Sequence, residues 1–158
     1  MSSDNAALVI KIATEDQMHE FGVRLGSMLV PGDLVSLNGP LGAGKTTLTR
    51  GIGEGVGAQG SVSSPTFLIA RTHPTRSGIS FHHIDAYRLS SPAELDDLDI
   101  DFDSSIGVIE WGSGYAEGLS ESILEINIER DLETDLRSMT LVGSGRFLDV
   151  SEFFGDTR

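Results

Sequence analysis

Apolar and polar positions follow two different periods along this chain, and the switches between them mark its elements. Ala7–Ala13 reads as a short strand. Thr14-Glu15-Asp16-Gln17 forms a capping box, and the apolar residues after it, Met18, Phe21, Leu25, Met28 and Leu29, recur at helical spacing. Gly22 and Gly26 stand one turn apart on this helix, a spacing that would let it approach a sheet closely. Pro31-Gly32-Asp33 is a turn signal ahead of the apolar strand Leu34–Leu37, which runs straight into a glycine-rich segment. A helix from about Thr46 to Gly55 or Gly57 is expected next.

The second half is richer in strand periods. A Ser/Pro loop at Ser61–Pro65, a strand at Thr66–Ala70, a polar connection at His73–Gly78 and a strand at Ile79–Ile84 predict a hairpin-like pair. Ser91-Pro92-Ala93-Glu94 is a second capping box with proline at the first helical position, opening a short helix through an acidic stretch. Ile106–Ile109 has the unbroken apolar character of a buried strand. Leu124, Ile126 and Ile128 alternate with Glu125, Asn127 and Glu129, and Met139–Val142 with Phe147–Val150 predict further antiparallel strands. The sheet is therefore expected to be mixed, in a single α/β domain spanning 1–158 with a tail at 151–158.

Composition narrows this further. The 158 residues, 16.9 kDa, suffice for a buried core without disulfides or a structural metal. The absence of cysteine excludes a thiol nucleophile and a Cys-ligated zinc, and with no signal-peptide pattern at the start the default expectation is a cytoplasmic protein. No apolar run approaches the roughly 18 residues that a membrane helix needs. Against 24 acidic residues stand 11 basic ones, a formal charge of −13, which disfavours direct binding of nucleic acid by the chain alone. The acidic residues Glu94, Asp96, Asp97, Asp99, Asp101 and Asp103 read as a solvated face or as a surface for a basic partner.

The chemistry concentrates in Gly39-Pro40-Leu41-Gly42-Ala43-Gly44-Lys45-Thr46. This satisfies G-x-x-x-x-G-K-[ST] between a predicted strand and a predicted helix, the context that makes a P-loop match specific. Glycines open backbone conformations closed to other residues, so that amide groups converge on phosphate oxygens at a helix N-terminus. Lys45 offers a compact positive charge for the β- and γ-phosphates, Thr46 a hydroxyl for Mg²⁺, and Thr47 a donor to the α-phosphate region. The fold expected is thus P-loop NTPase-like, a mixed sheet flanked by helices. A second acidic group is needed at a neighbouring strand end, and both Glu110 and Asp85 follow predicted strands.

Val62-Ser63-Ser64-Pro65-Thr66-Phe67, His83-Ile84-Asp85-Ala86-Tyr87-Arg88-Leu89 and Ile109-Glu110-Trp111, in this order after the P-loop, resemble the TsaE (YjeE) family of bacterial ATPases, over about Thr14 to Arg146. The resemblance implies an ATPase that supports a TsaB–TsaD pair in threonylcarbamoyladenosine modification of tRNA. It implies that Thr46 and Glu110 hold Mg²⁺, that Asp85 supports hydrolysis, and that Ser64-Pro65-Thr66 senses the nucleotide. It also implies that Thr14–Asp16 and Arg146 lie near the base. Trp111, adjacent to Glu110, is expected within reach of the nucleotide. The chain departs from the family pattern at Pro40, where an acidic residue is common, and at Gly112, where proline is common.

Guanine recognition would need a lysine in an Asn/Thr-Lys-x-Asp element, and neither Lys11 nor Lys45 lies in one, so ATP with Mg²⁺ is expected. Contact with tRNA is expected only through partner proteins. His82 and His83, adjacent on a strand, point to opposite faces, so His19, His73, His82 and His83 are expected in structural or surface roles. Two alternatives remain open at the level of sequence: a small-molecule kinase, although Leu68–Leu89 carries only Arg71, Arg76 and Arg88 and no evident arginine lid, and a nucleotide-gated binding module without turnover.

Overall fold

The computed structural model describes residues 7–40, 42–60 and 70–154. In chain order the elements are β1 (Leu8–Ile12), α1 (Glu15–Met28), β2 (Asp33–Asn38), α2 (Lys45–Val56), β3 (Ala70–Pro74), β4 (Ser80–Asp85), α3 (Pro92–Asp96), β5 (Ile106–Glu110), β6 (Ser122–Arg130), β7 (Arg137–Gly143) and α4 (Val150–Phe154). Among the described residues the seven strands make one sheet in the order β1-β7-β6-β2-β5-β4-β3. The mixed sheet expected from the sequence is present: β2, β4, β5 and β6 run parallel, and β1, β3 and β7 pair antiparallel at the flanks.

Strand alternation divides the core between the two faces of this sheet. Val35, Leu37, Phe81 and Val108 pack with Leu48 and Ile52 of α2 and Met18, Phe21 and Leu25 of α1. Leu34, Ile84 and Ile109 pack on the other face with Leu95, Phe102 and Ala116. Thr14 caps α1 by accepting the Gln17 N–H on Oγ1 at 3.1 Å, and Gln17 Oε1 in return takes the Ala13 N–H at 2.7 Å. The box thus fastens α1 to the end of β1.

Gly22 and Gly26 serve a different approach from the one expected. They face α2 rather than the sheet, and a Cβ on Gly22 would stand 2.6 Å from the Leu48 carbonyl oxygen. Gly26 meets the Ile52 carbonyl, and Gly51 and Gly55 of α2 meet the His19 and Val23 carbonyls of α1. Two backbones interlock through four glycines, which sets the spacing between the helix that opens at Thr14 and the helix that opens at Gly44.

Four further expectations need correction. Phe147–Val150 is not a strand: the chain reverses after β7 through a 3₁₀ turn at Gly145–Phe147, with Gly145 at φ 60°, and enters α4. A short apolar run fits either period, and packing decided it. Nor is Ser151–Phe154 a tail, because it continues α4, and Phe154 is buried with its ring 5.6 Å from that of Phe21. His73 and Pro74 belong to β3 rather than to a connection, which shrinks to a turn closed by the Gly78 N–H on the Thr75 carbonyl at 3.0 Å. The short helix in the acidic stretch stops at Asp96; Ser91 makes no side-chain cap, while Glu94 Oε1 accepts the Ser90 N–H at 2.9 Å. Ser61–Pro65, the Ser64-Pro65-Thr66 segment and residues 66–69 of the predicted strand lie outside the described residues.

Candidate functional site

The site begins where β2 ends. Gly39, Gly42 and Gly44 have φ of 153°, 79° and 113°, values that a side chain would oppose, and Gly44 is the N-cap of α2. Because β5 and β4 run parallel beside β2, their C-terminal ends arrive at the same edge. Leu37 is in register with Glu110, and Glu110 with Asp85. Alternation along β4 and β5 sends both carboxylates to the face that carries α2, so they stand side by side facing the glycine loop.

Lys45 lies between these groups. Its Nζ donates to the Gly39 carbonyl at 2.6 Å and to the Pro40 carbonyl at 3.0 Å, and sits 4.1 Å from the centre of the Trp111 ring. Burial holds the Lys45 ammonium below its ordinary pKa, while the charges of Glu110 and then Asp85 pull the other way. Trp111 reaches this position only through a left-handed backbone at φ 61°, anchored by its N–H on the Leu37 carbonyl at 2.7 Å. Tyr87 stacks beside it with ring centres 5.1 Å apart, and Asp85 Oδ1 accepts the Tyr87 N–H at 3.1 Å.

A cleft of about 640 Å³ gathers these residues. Of those expected from the sequence, Thr14, Glu15, Gly42, Gly44, Lys45, Thr46, Thr47, Asp85, Glu110 and Trp111 line it, while Asp16 does not; Met18, Tyr87 and Arg137 complete the wall. The volume lies within the range of about 300–1,000 Å³ usual for small-ligand sites. Gly39 lies below the cleft as an acceptor for Lys45, and the Ala43 side chain is fully buried in the core. Leu41 lies outside the described residues.

Arg146 is a correction. It does not line the cleft but binds Asp33 at the opposite end of β2, with Nε 2.9 Å from Oδ1. Arg137 stands where an arginine meets the loop: its Nε donates to the Ala43 carbonyl at 3.0 Å and its Nη2 to the Gly42 carbonyl at 3.4 Å. Since N–H and C=O of a trans peptide point in opposite directions, pinning the Ala43 carbonyl turns the Gly44 N–H the other way. Arg137 carries no local motif, and its role follows from the register of β7.

The donor set suits a hard cation. Thr46 supplies a hydroxyl, and Asp85 and Glu110 supply carboxylates, few enough that water and phosphate oxygens would complete an octahedral magnesium shell. Positive-φ glycines, a lysine and a helix N-terminus on the same wall suit the phosphates. Three histidines hold the fold instead: His19 Nε2 lies 2.8 Å from Glu54 Oε2, His73 Nδ1 donates to the Gln59 carbonyl at 3.2 Å, and His82 Nδ1 meets Thr72 Oγ1 at 2.9 Å. His83 differs from them, because its Nε2 lies 2.5 Å from Glu110 Oε2 in the site itself.

Comparison with known proteins agrees with this geometry. Residues 12–139 match the family model described as threonylcarbamoyl adenosine biosynthesis protein TsaE. The chain is 50% identical over 135 residues to the tRNA threonylcarbamoyladenosine biosynthesis protein TsaE of Streptomyces coelicolor, covering 81% of this chain and 91% of that protein. It is 45% identical over 129 residues to the TsaE protein of Mycobacterium tuberculosis, covering 75% and 77%. Its fold is similar to the crystal structure of Bacillus subtilis YdiB, with a TM-score of 0.72, 27% identity, and coverage of 94% of this chain and 95% of that one.

Proposed function

The chain belongs to the TsaE family of tRNA threonylcarbamoyladenosine biosynthesis, and from that premise we propose that it binds Mg-ATP in the cleft at the end of β2 and hydrolyses it in support of a TsaB–TsaD-like complex. The observation that carries this reading is the convergence of Lys45, Thr46, Asp85 and Glu110 on one cleft beside a glycine-rich helix start. In this reading the loop amides and Lys45 bind the phosphates, and Thr46 and Glu110 hold Mg²⁺. The magnesium nucleotide supplies the phosphoanhydride and the charge neutralisation for its cleavage. Asp85, in register with Glu110, orients the attacking water.

Thr14, Glu15 and Met18 at the start of α1 face the remainder of the nucleotide, and the lysine count argues for adenine over guanine. A charge of −13 leaves tRNA to the partner proteins. No helix among the described residues is long and apolar enough to cross a membrane.

The test is reconstitution of tRNA modification by a TsaB–TsaD pair with this chain, following modified nucleoside and phosphate release together. Repeated rounds of modification should require both ATP and this chain, with Lys45→Ala unable to replace it. Equal modification with Lys45→Ala and with wild type would overturn the reading.

A further inference from the structure

Among the described residues of the parallel core strands, the buried polar side chains are Asp33 and Ser36 of β2, His82 and His83 of β4 and Glu110 of β5. His83 is fully buried on the face shared with Phe81 and Asp85, opposite Val108 of β5. A histidine there costs desolvation without adding apolar area, so its retention calls for a polar partner. That partner is Glu110, itself only 6% exposed, with His83 Nε2 2.5 Å from Glu110 Oε2. The other ring nitrogen, Nδ1, is buried and has no hydrogen-bond partner among the described residues. Among the described residues the ring is therefore held through Nε2, by the carboxylate it meets.

The consequence for Glu110 is geometric. Its backbone is fixed by β2 and β4 on either side, and Trp111 follows at once with a left-handed backbone. The side chain retains rotational freedom, and the His83 bond removes it by fixing Oε2 from the floor of the site. Oε1 is then directed by the planarity of the carboxylate. Residues that hold a metal-ligating carboxylate in this way commonly change metal affinity by about 10–100-fold when removed.

We infer that His83 is a positioning residue for Glu110: it donates its Nε2–H to Oε2 and so holds the carboxylate in the orientation that receives the nucleotide-bound magnesium. This rests on the Mg-ATP reading of the cleft. It assigns a role to a buried side chain that touches neither nucleotide nor metal, and it separates His83 from the three histidines that only hold the fold.

The experiment is calorimetric binding of ADP over a series of Mg²⁺ concentrations, with no turnover required. His83→Leu, which keeps bulk and removes the donor, should raise the Mg²⁺ concentration needed for half of the metal-dependent gain in ADP affinity by about tenfold. ADP affinity without Mg²⁺ should stay within about twofold of wild type, since the loop and Lys45 are untouched. His83→Gln places an N–H₂ near the former Nε2 and should restore most of the Mg²⁺ response, whereas the shorter His83→Asn should not. In the Glu110→Gln background, His83→Leu should have no further effect on the Mg²⁺ requirement, the sign of two residues acting as one.

An unchanged Mg²⁺ requirement in His83→Leu, or an equal loss of metal-free ADP affinity, would overturn the inference and leave the cleft reading standing. If His83→Leu does not fold by circular dichroism, the Gln and Asn pair decides: equal Mg²⁺ responses would overturn the inference. Wild-type ADP affinity indifferent to Mg²⁺ would overturn the cleft reading, and this inference with it.

Discussion

Both ends of β2 carry buried charge, yet they are built in opposite ways. At the N-terminal end Asp33, 1% exposed, takes the Arg146 guanidinium on Oδ1 and the Val30 N–H on Oδ2 at 2.8 Å. Arg146 also donates to the Met28 carbonyl at 2.8 Å and lies over the rings of Phe147 and Phe153. Each charge there meets an opposite charge or a dipole of the chain. At the C-terminal end one ammonium stands against two carboxylates, under an indole held on a left-handed backbone, beside a loop of positive-φ glycines. The first arrangement is a strut that joins α1, β2 and the chain after β7. The second gathers an ammonium, two carboxylates and positive-φ glycines around a cleft.

The largest effect expected from this contrast is at Lys45. Lys45→Ala removes the ammonium that stands against Asp85 and Glu110 and leaves these carboxylates to repel phosphate, so Mg-ADP affinity should fall by about a hundredfold or more. Thermal unfolding should change little, because the lost bonds reach only the Gly39 and Pro40 carbonyls of the loop. Calorimetry beside a thermal melt measures both, and wild-type affinity in the mutant would remove the distinction between the two ends.

Arg146→Ala should do the reverse. It strands a buried Asp33 carboxylate, at a cost of about 2 kcal/mol, below the roughly 3–5 kcal/mol of a fully buried pair because Arg146 is 35% exposed. That lowers the melting temperature by about 4–8 °C for a chain of this size, while ADP affinity is unchanged. A loss of ADP affinity with an unchanged melt would return Arg146 to the nucleotide site.

Arg137→Ala sharpens the contrast within the C-terminal end. It releases the Ala43 and Gly42 carbonyls, bonds to a charged donor worth about 1.5–3 kcal/mol each at most, and should weaken ADP binding by about tenfold. Adenosine, which lacks phosphate, should bind as before if the loop alone is disturbed. Equal loss for adenosine and ADP would show that Arg137 contacts the base instead.

The smallest effect concerns acid. His82 lies toward the strut end, in register with Gly107 and through it with Leu34, and burial lowers its pKa. The folded state therefore prefers neutral His82, while the unfolded chain takes up a proton near the ordinary value of about 6.5. Stability from this residue is complete above that pH and declines as the pH falls below it, by at most about 1.4 kcal/mol per pH unit. Urea titrations at neutral and mildly acid pH should show a shallower acid loss in His82→Gln than in wild type. Parallel losses would place the acid sensitivity elsewhere.

Much of this protein was determined by local sequence. The P-loop, the capping box at Thr14 and the strands that end in Asp85 and Glu110 are legible because each depends on neighbours within a few residues: a helix start, a glycine that admits positive φ, a run of apolar positions. Strand ends next to a P-loop also bring carboxylates to the same edge, whatever else the chain does. Several features depended on pairings between distant segments and had no local sign. The interlock of Gly22 and Gly26 with Gly51 and Gly55 needs two helix phases at once. The exchange of Arg146 for Arg137 at the nucleotide loop follows from where β7 begins in register against β6 and β1. Alternation predicts that His83 and His82 face opposite ways, but not which of them meets Glu110, because that is set by the parallel alignment of β4 with β5 and by the face to which α2 returns. Period and turn chemistry act over a few residues, whereas side-chain partners across a sheet are chosen only when register and helix packing are settled together.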